Sequence, residues 1–280
     1  MSSSALTPIL EHLRAEPSRT WSIIVTLYGD AVVPRGGTLW LGTLLKIFEA
    51  MGIGGNVVRT AMSRLASDGL LERSRVGRNA YYRLADRGRA TFLEAAARIY
   101  ALHAPSWDGA FDILVSSGVE RAPVVGGHAI LAPGVLIGLR TPFTRLEGTI
   151  QLRATAETED ARRLARQVWP TERLGRSYRR FVDAFEPLRA ALANGADLPD
   201  LQALVARLLL VHEYRRLVLR DPALPDVLLP DDWPGRAACA LCADAYPRLL
   251  PPSERWLDVH AVNERGPLPP PDPSLFRRFR

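Results

Sequence analysis

Along the first hundred residues the apolar positions come in short blocks whose period changes from block to block. Trp21 to Tyr28 is apolar nearly throughout and predicts a buried helix ended near Gly29; ahead of it, Leu6 to Arg14 predicts a short amphipathic helix stopped by Pro17. A loop with Pro34 and Gly36-Gly37 leads to Thr38-Leu39-Trp40, a short strand. Leu41, Leu44, Leu45, Phe48 and Met51 then repeat at helical spacing until Gly52. A second helix follows, with Asn56 as its N-cap, Val58, Ala61, Met62 and Leu65 on one side, and Gly69 as the left-handed residue that ends it. Leu70 to Val76 and Ala80 to Leu84 alternate as strands do and are joined by the tight turn Gly77-Arg78-Asn79, after which Asp86 to Tyr100 is helical again. Helix, short strand, helix, helix, hairpin, helix is the order of a winged helix-turn-helix, assigned to residues 1–105.

Beyond it the pattern changes. Trp107 to Ser117, Ala129 to Leu139 and Gly148 to Ala156 predict strands and Glu159 to Trp169 a helix, which makes residues 106–170 a small α+β domain. Residues 171–280 read as a helical C-terminal domain. Leu174, Tyr178, Phe181, Val182, Phe185, Leu188 and Leu192 trace one apolar stripe, Leu201, Leu204, Leu208 and Val211 another, and a helix is predicted from Pro234 to Leu249. Pro267 to Pro273 has no core-forming pattern and is expected to be extended. The chain as a whole is therefore of the multidomain α+β class.

Charge makes this organisation informative. The chain of 280 residues carries a net +6, and residues 1–105 hold 13 Lys and Arg against 8 Asp and Glu, so +5 of that excess lies in the first part. Arg59, Arg64, Arg73, Arg75, Arg78, Arg83, Arg87 and Arg89 stand against only Asp68, Glu72 and Asp86 over one short stretch, the footprint of a phosphate-binding module. On the helix from Asn56, the residues opposite the apolar side are Asn56, Arg59, Thr60, Ser63, Arg64 and Ser67. They are short and polar apart from two guanidiniums, which suits close approach to a DNA groove, since Arg pairs bidentately with guanine and hydroxyls serve phosphates or bases. Arg73, Arg75, Arg78 and Arg83 put further cations on the hairpin, which we expect to act as a DNA-binding wing along a phosphate ridge or minor groove. The expected partner is a double-stranded DNA operator.

Other chemistry is sparse. Cys239 and Cys242 are the only cysteines, spaced as CxxC inside a predicted helix rather than at its start, and no second pair of ligands accompanies them. No metal site, catalytic residue or cofactor is assigned. His212 lies in an apolar helix and is expected to be a hydrogen-bonded core residue; Asp108 and Asp112 flank a strand without a recognisable partner. No apolar run approaches the ~20 residues that span a bilayer, and no secretory leader pattern is visible, so a cytoplasmic, non-enzymatic protein with no membrane partner is expected. The competing reading is a metal-dependent nuclease or other enzyme built on the middle domain.

The strings LYGDAVVPRGGTLWLG from Leu27, VRTAMSRLASDGLLERSRVGRNAYYRL from Val58 and HEYRRLVLRDPALPDVLLPDDWPGRAACALC from His212 resemble the PaaX-type repressors of phenylacetate catabolism. The resemblance covers most of the chain. It implies a transcriptional repressor with a winged-helix domain, a ferredoxin-like middle domain similar to Cas2 and a helical C-terminal domain. It also implies a homodimer released from DNA by an acyl-CoA effector, phenylacetyl-CoA first among them. The effector-binding residues are not assigned, although Arg215, Arg216 and Arg220 have the chemistry to meet CoA phosphates. One departure stands out: Glu120 to His128, with Pro123 and Gly126-Gly127, is too short for the helix that relatives carry there.

Overall fold

The computed structural model describes Thr7, Ile9, Glu11 and residues 19–102, 106–116, 127–139 and 149–280. The helix expected over Leu6 to Arg14 and the segment Glu120 to His128 lie largely outside these residues. The chain is a mixed α+β structure that packs as two units: Met1–Leu102, Arg180–Arg216 and Ala237–Arg280 form one, His103–Arg179 and Leu217–Arg236 the other. Sequence patterning divides it into three segments, because packing between segments distant in sequence leaves no local periodicity.

The first unit is built on helix α1 (Thr20–Leu27), strand β1 (Thr38–Trp40), helices α2 (Leu41–Ala50) and α3 (Gly55–Ser67), strands β2 (Leu71–Val76) and β3 (Asn79–Leu84), and helix α4 (Asp86–Ile99). The strands form one antiparallel sheet in the order β1-β3-β2. Ile23, Ile24 and Leu27 of α1, Leu39 of β1, Leu44, Ile47 and Phe48 of α2, and Val58 and Met62 of α3 are completely buried. Side chains of that size contribute ~1.5–3 kcal/mol each when removed from water, so this cluster fixes the angle at which α3 leaves the core.

The regular α-helix ends at Leu27, close to Gly29 as expected, but the chain does not turn there. The backbone continues through a π turn (Tyr28–Val32) and a 3-10 turn (Val33–Arg35), and turns only at Gly36, whose φ is 85°. The glycine serves close packing instead: a Cβ there would stand 1.5 Å from the Phe92 ring.

The C-terminal helices of this unit come from α6 (Thr171–Ala193), α7 (Asp200–Val218) and α8 (Pro234–His260). Helix α8 runs well beyond the predicted end at Leu249, through Pro247, Pro251 and Pro252. Proline removes one backbone donor each time, yet the buried series Leu241, Ala245, Leu249, Ser253, Trp256 and Leu257 keeps helical spacing through all three and holds the helix together. Helix α7 is buried all round from Ala203 to Tyr214 instead of along one stripe. Strands β8 (Val262–Asn263) and β9 (Gly266–Pro267) form a small hairpin, and a 3-10 turn (Pro273–Arg277) follows. The proline-rich stretch is partly extended as expected, but it leads Leu268, Leu275 and Phe279 into the core.

The second unit holds a four-stranded antiparallel sheet, β4 (Ala110–Ser116), β5 (His128–Ala132), β6 (Val135–Leu139) and β7 (Thr149–Thr155), in the order β5-β6-β4-β7, with helix α5 (Thr158–Val168). The single strand predicted over Ala129 to Leu139 is a hairpin. Pro133-Gly134 turns it, with Gly134 at φ 74°. Phe111 stacks on Trp169 with ring centroids 6.4 Å apart and meets Trp107 at 5.2 Å, which anchors the sheet to the residue that follows α5.

Candidate nucleic-acid interface

The six polar residues singled out on α3 are all exposed, while Val58, Met62 and Leu65 of the same helix are buried. The helix begins two residues earlier than the N-cap reading placed it. Gly54 is the cap and Asn56 lies inside the first turn. There its Oδ1 accepts from Arg59 Nη1 at 3.3 Å and its carbonyl accepts from Thr60 Oγ1 at 2.9 Å. At the far end Gly69 N donates to Ala66 O at 3.1 Å and Leu70 N to Leu65 O at 2.9 Å, a Schellman closure with Gly69 at φ 70°. That closure turns the chain from α3 straight into β2. Arg64 leans toward Asp68, with 3.8 Å between charged atoms and its side chain 70% exposed, so the pairing is weak and the guanidinium remains accessible.

The hairpin separates its arginines. Cross-strand partners share a face, and the pairs Leu71↔Leu84, Arg73↔Tyr82 and Arg75↔Ala80, with Leu39↔Tyr82, put Arg73 and Arg75 on the face that buries Leu39, Tyr82 and Leu84. As the core ends toward the hairpin tip, both side chains are exposed. Arg83 lies on the opposite face and pairs with Glu72 at 2.5 Å in a half-exposed contact, whose hydrogen bond raises the guanidinium's affinity for its proton. Arg78 stands exposed at the two-residue turn, where Gly77 takes the positive φ of 58°. The structure thus brings Arg73, Arg75 and Arg78 toward one end of the hairpin and leaves Arg83 in an ion pair.

One element beside this surface was not expected. The β8–β9 hairpin packs against β1, and its turn residue Glu264 accepts a hydrogen bond from Ser74 Oγ on β2. The exposed Arg265 is its neighbour. The only local signal is Asn263-Glu264-Arg265-Gly266, a turn composition in which Arg265 N donates to Asn263 Oδ1 at 2.8 Å.

The remaining chemistry is internal. Cys242 is fully buried, which pushes its thiol well up, and Cys239 Sγ lies 3.8 Å from the Ala101 carbonyl. His212 is buried with Nδ1 2.9 Å from Thr26 Oγ1, and burial lowers its pKa to about 4. Arg215 donates to the same hydroxyl at 3.0 Å and Arg216 pairs with Glu213 at 2.9 Å, so both are already engaged within the protein. In the second unit Asp108 pairs with Arg153 at 2.8 Å, and Asp112 sits in mid-strand between Gly138 and Arg153. Among the described residues no three His, Cys, Asp or Glu side chains converge as a metal ion requires, and no helix is long and apolar enough to cross a membrane.

Comparison with known proteins adds to this picture. Residues 19–88 match the family described as PaaX-like protein, and residues 169–259 match the PaaX-like protein C-terminal domain. Transcriptional repressor PaaX of Escherichia coli (strain K12) is 33% identical over 302 aligned positions, covering 99% of this chain and 95% of that protein. Uncharacterized protein Rv0674 from Mycobacterium tuberculosis, a solved structure, is 22% identical, with a TM-score of 0.49 over 76% of this chain and 89% of its own.

Proposed function

This chain belongs to the PaaX-like family, and from that premise we propose that it is a sequence-specific DNA-binding repressor that reads its operator with a winged helix-turn-helix. In this reading α3 is the recognition helix and the β2–β3 hairpin the wing. The observation that carries it is the pairing of an exposed polar face on α3, rich in Asn, Ser, Thr and Arg, with Arg73, Arg75 and Arg78 on the adjoining hairpin. That combination serves base edges and phosphates together. The strand order β5-β6-β4-β7, wholly antiparallel, is the one a ferredoxin-like middle domain would have.

The finer parts of the proposal rest on the family resemblance. The protein acts in the cytoplasm as a homodimer on a dyad-related site, controls an operon for aromatic-acid catabolism of the phenylacetate type, and is released by an aryl-acetyl-CoA thioester, phenylacetyl-CoA being first choice. A ligand of that kind lowers DNA affinity only through its preference for a non-binding conformation.

The test is quantitative. Arg59→Ala or Arg64→Ala should weaken binding to the cognate duplex by ~1–3 kcal/mol and relax one base position, whereas Arg78→Ala should weaken all duplexes alike and lower the salt slope by about one. Fluorescence anisotropy on cognate and scrambled DNA over a salt series measures both. Equal losses on the two DNAs for both helix variants would mean that α3 is not the reader.

A further inference from the structure

The exposed face of α3 holds one side chain that a polar, phosphate-seeking surface does not need. Val57 is 53% exposed in the first turn, among Asn56, Arg59, Thr60 and Arg64. At about 3.6 residues per turn, Val57 and Thr60 are neighbours one turn apart, and Asn56 stands one turn from Thr60 on its other side. Thr60 adds to the apolar character, because its hydroxyl proton is committed to the Asn56 carbonyl at 2.9 Å. What Thr60 offers an incoming partner is therefore chiefly its methyl group. Val57 and Thr60 together make a small methyl-bearing patch. It is bordered by the Asn56 amide, whose oxygen is taken by Arg59 and whose NH2 group can still donate.

In the major groove a thymine is distinguished by its C5-methyl next to the O4 acceptor, and apolar side chains are the groups that read that methyl. We propose that Val57, with the Thr60 methyl, is a specificity-determining residue that packs on a thymine C5-methyl of the operator, beside hydrogen bonds from Asn56 or Arg59. The inference rests on the DNA-binding reading given above and extends it from a polar readout to a named base. A lone exposed valine would carry no such meaning. The meaning comes from its place on the basic, groove-sized face and from the methyl that the Thr60 back-bond leaves beside it.

The test uses the full-length protein and duplexes recovered by it from a random-sequence DNA pool. Each thymidine of the recovered site is replaced singly by deoxyuridine, which removes the methyl and leaves every hydrogen-bonding group. Losing one buried methyl should weaken binding about fourfold, or ~0.8 kcal/mol at tenfold per 1.4 kcal/mol. We expect that loss at one or two thymines of each half-site. Val57→Ala should weaken the natural duplex by a similar factor and be indifferent to deoxyuridine at those same positions, while Thr60→Ser should show part of the effect. A recovered site that binds equally well with deoxyuridine at every thymidine, or that has no thymine in its half-site, overturns the methyl contact and leaves the DNA-binding reading intact. So does a Val57→Ala variant with unchanged deoxyuridine sensitivity. Failure to recover any preferred sequence would instead overturn the DNA-binding reading, and this inference with it. A thermal melt matching the parent protein establishes that the exposed Val57→Ala change acts on binding and not on folding.

Discussion

At the scale of single residues, His212 shows how burial sets a titration. Its ring is completely buried on α7 and bonded to Thr26, with Glu213, Arg215 and Arg216 around it, and desolvation outweighs the nearby carboxylate so that its pKa falls to about 4 from 6.5. The folded protein therefore keeps the ring neutral where the unfolded chain would protonate it. The unfolded state binds the extra proton between those two values, so stability is full above pH 6.5 and declines as the pH falls toward 4, by ~3 kcal/mol in all. Urea unfolding across that range should show the decline in the parent protein and a flatter profile in His212→Asn. An identical slope in the variant would assign the pH dependence to other groups. This histidine was legible as a core residue because its neighbours in sequence are apolar; its Thr26 partner, 186 positions away, was not.

Legibility at the scale of elements follows the range of the interactions that decide them. The exposed and buried faces of α3, the Gly69 closure and the Gly77 turn are settled within a few residues of chain, and the sequence pattern places them to within a residue or two. The β5–β6 turn was also written locally, in Pro133-Gly134, but a run of apolar residues on both sides masked it. The extension of α8 through three prolines was not local, since it depends on partners that bury Ser253, Trp256 and Leu257. Among the local signals Gly69 invites the sharpest test. It holds φ 70° with open space around a Cβ, so Gly69→Ala meets no clash and suffers only the left-handed backbone penalty, ~1 kcal/mol. Chemical denaturation should register that loss, and Gly69→Asn should recover part of it because Asn tolerates the left-handed region better. A neutral Gly69→Ala would mean that α3 can close in another way without the Schellman bonds.

At the scale of the whole molecule, the first unit is joined by a chain of charges, buried except at its Asp258 end, that no periodicity announces. Arg278 bonds Asp30 at 2.8 Å, Arg207 meets Asp30 at 2.7 Å and Glu254 at 2.5 Å, and Arg35 meets Glu254 at 2.7 Å and Asp258 at 2.8 Å. Tyr100 and Tyr246 donate to the same Asp30 oxygen at 2.7 and 2.9 Å, and Phe279 packs its ring against Tyr100, Tyr214 and Tyr246. Burial alone would raise the Asp30 carboxyl; Arg207, Arg278 and the two hydroxyls reverse this and hold it below the usual range. The two ends of the Asp30–Arg278 contact are 248 positions apart, which is why the sequence shows the charges and not their pairing.

This network ties the N-terminal helices to the C-terminal helices within the first unit, and its weakest point can be predicted. Replacing a buried ion pair by well-packed apolar groups can be harmless, but removing one partner leaves the other charge desolvated and alone. Asp30→Asn keeps the shape of the side chain but takes the carboxylate from Arg278 and leaves Arg207 with Glu254 alone, so unfolding free energy should fall by ~3–5 kcal/mol. None of the changed atoms lies on the exposed face of α3. DNA affinity measured well below the new melting temperature should therefore match the parent protein, and binding should vanish only as the unit unfolds. The double variant Asp30→Leu with Arg207→Met should lose less than the sum of its single changes, since it removes both charges. A stable Asp30→Asn protein with impaired operator affinity at low temperature would contradict this account, because the network would then be setting the conformation of the binding face rather than holding the unit together.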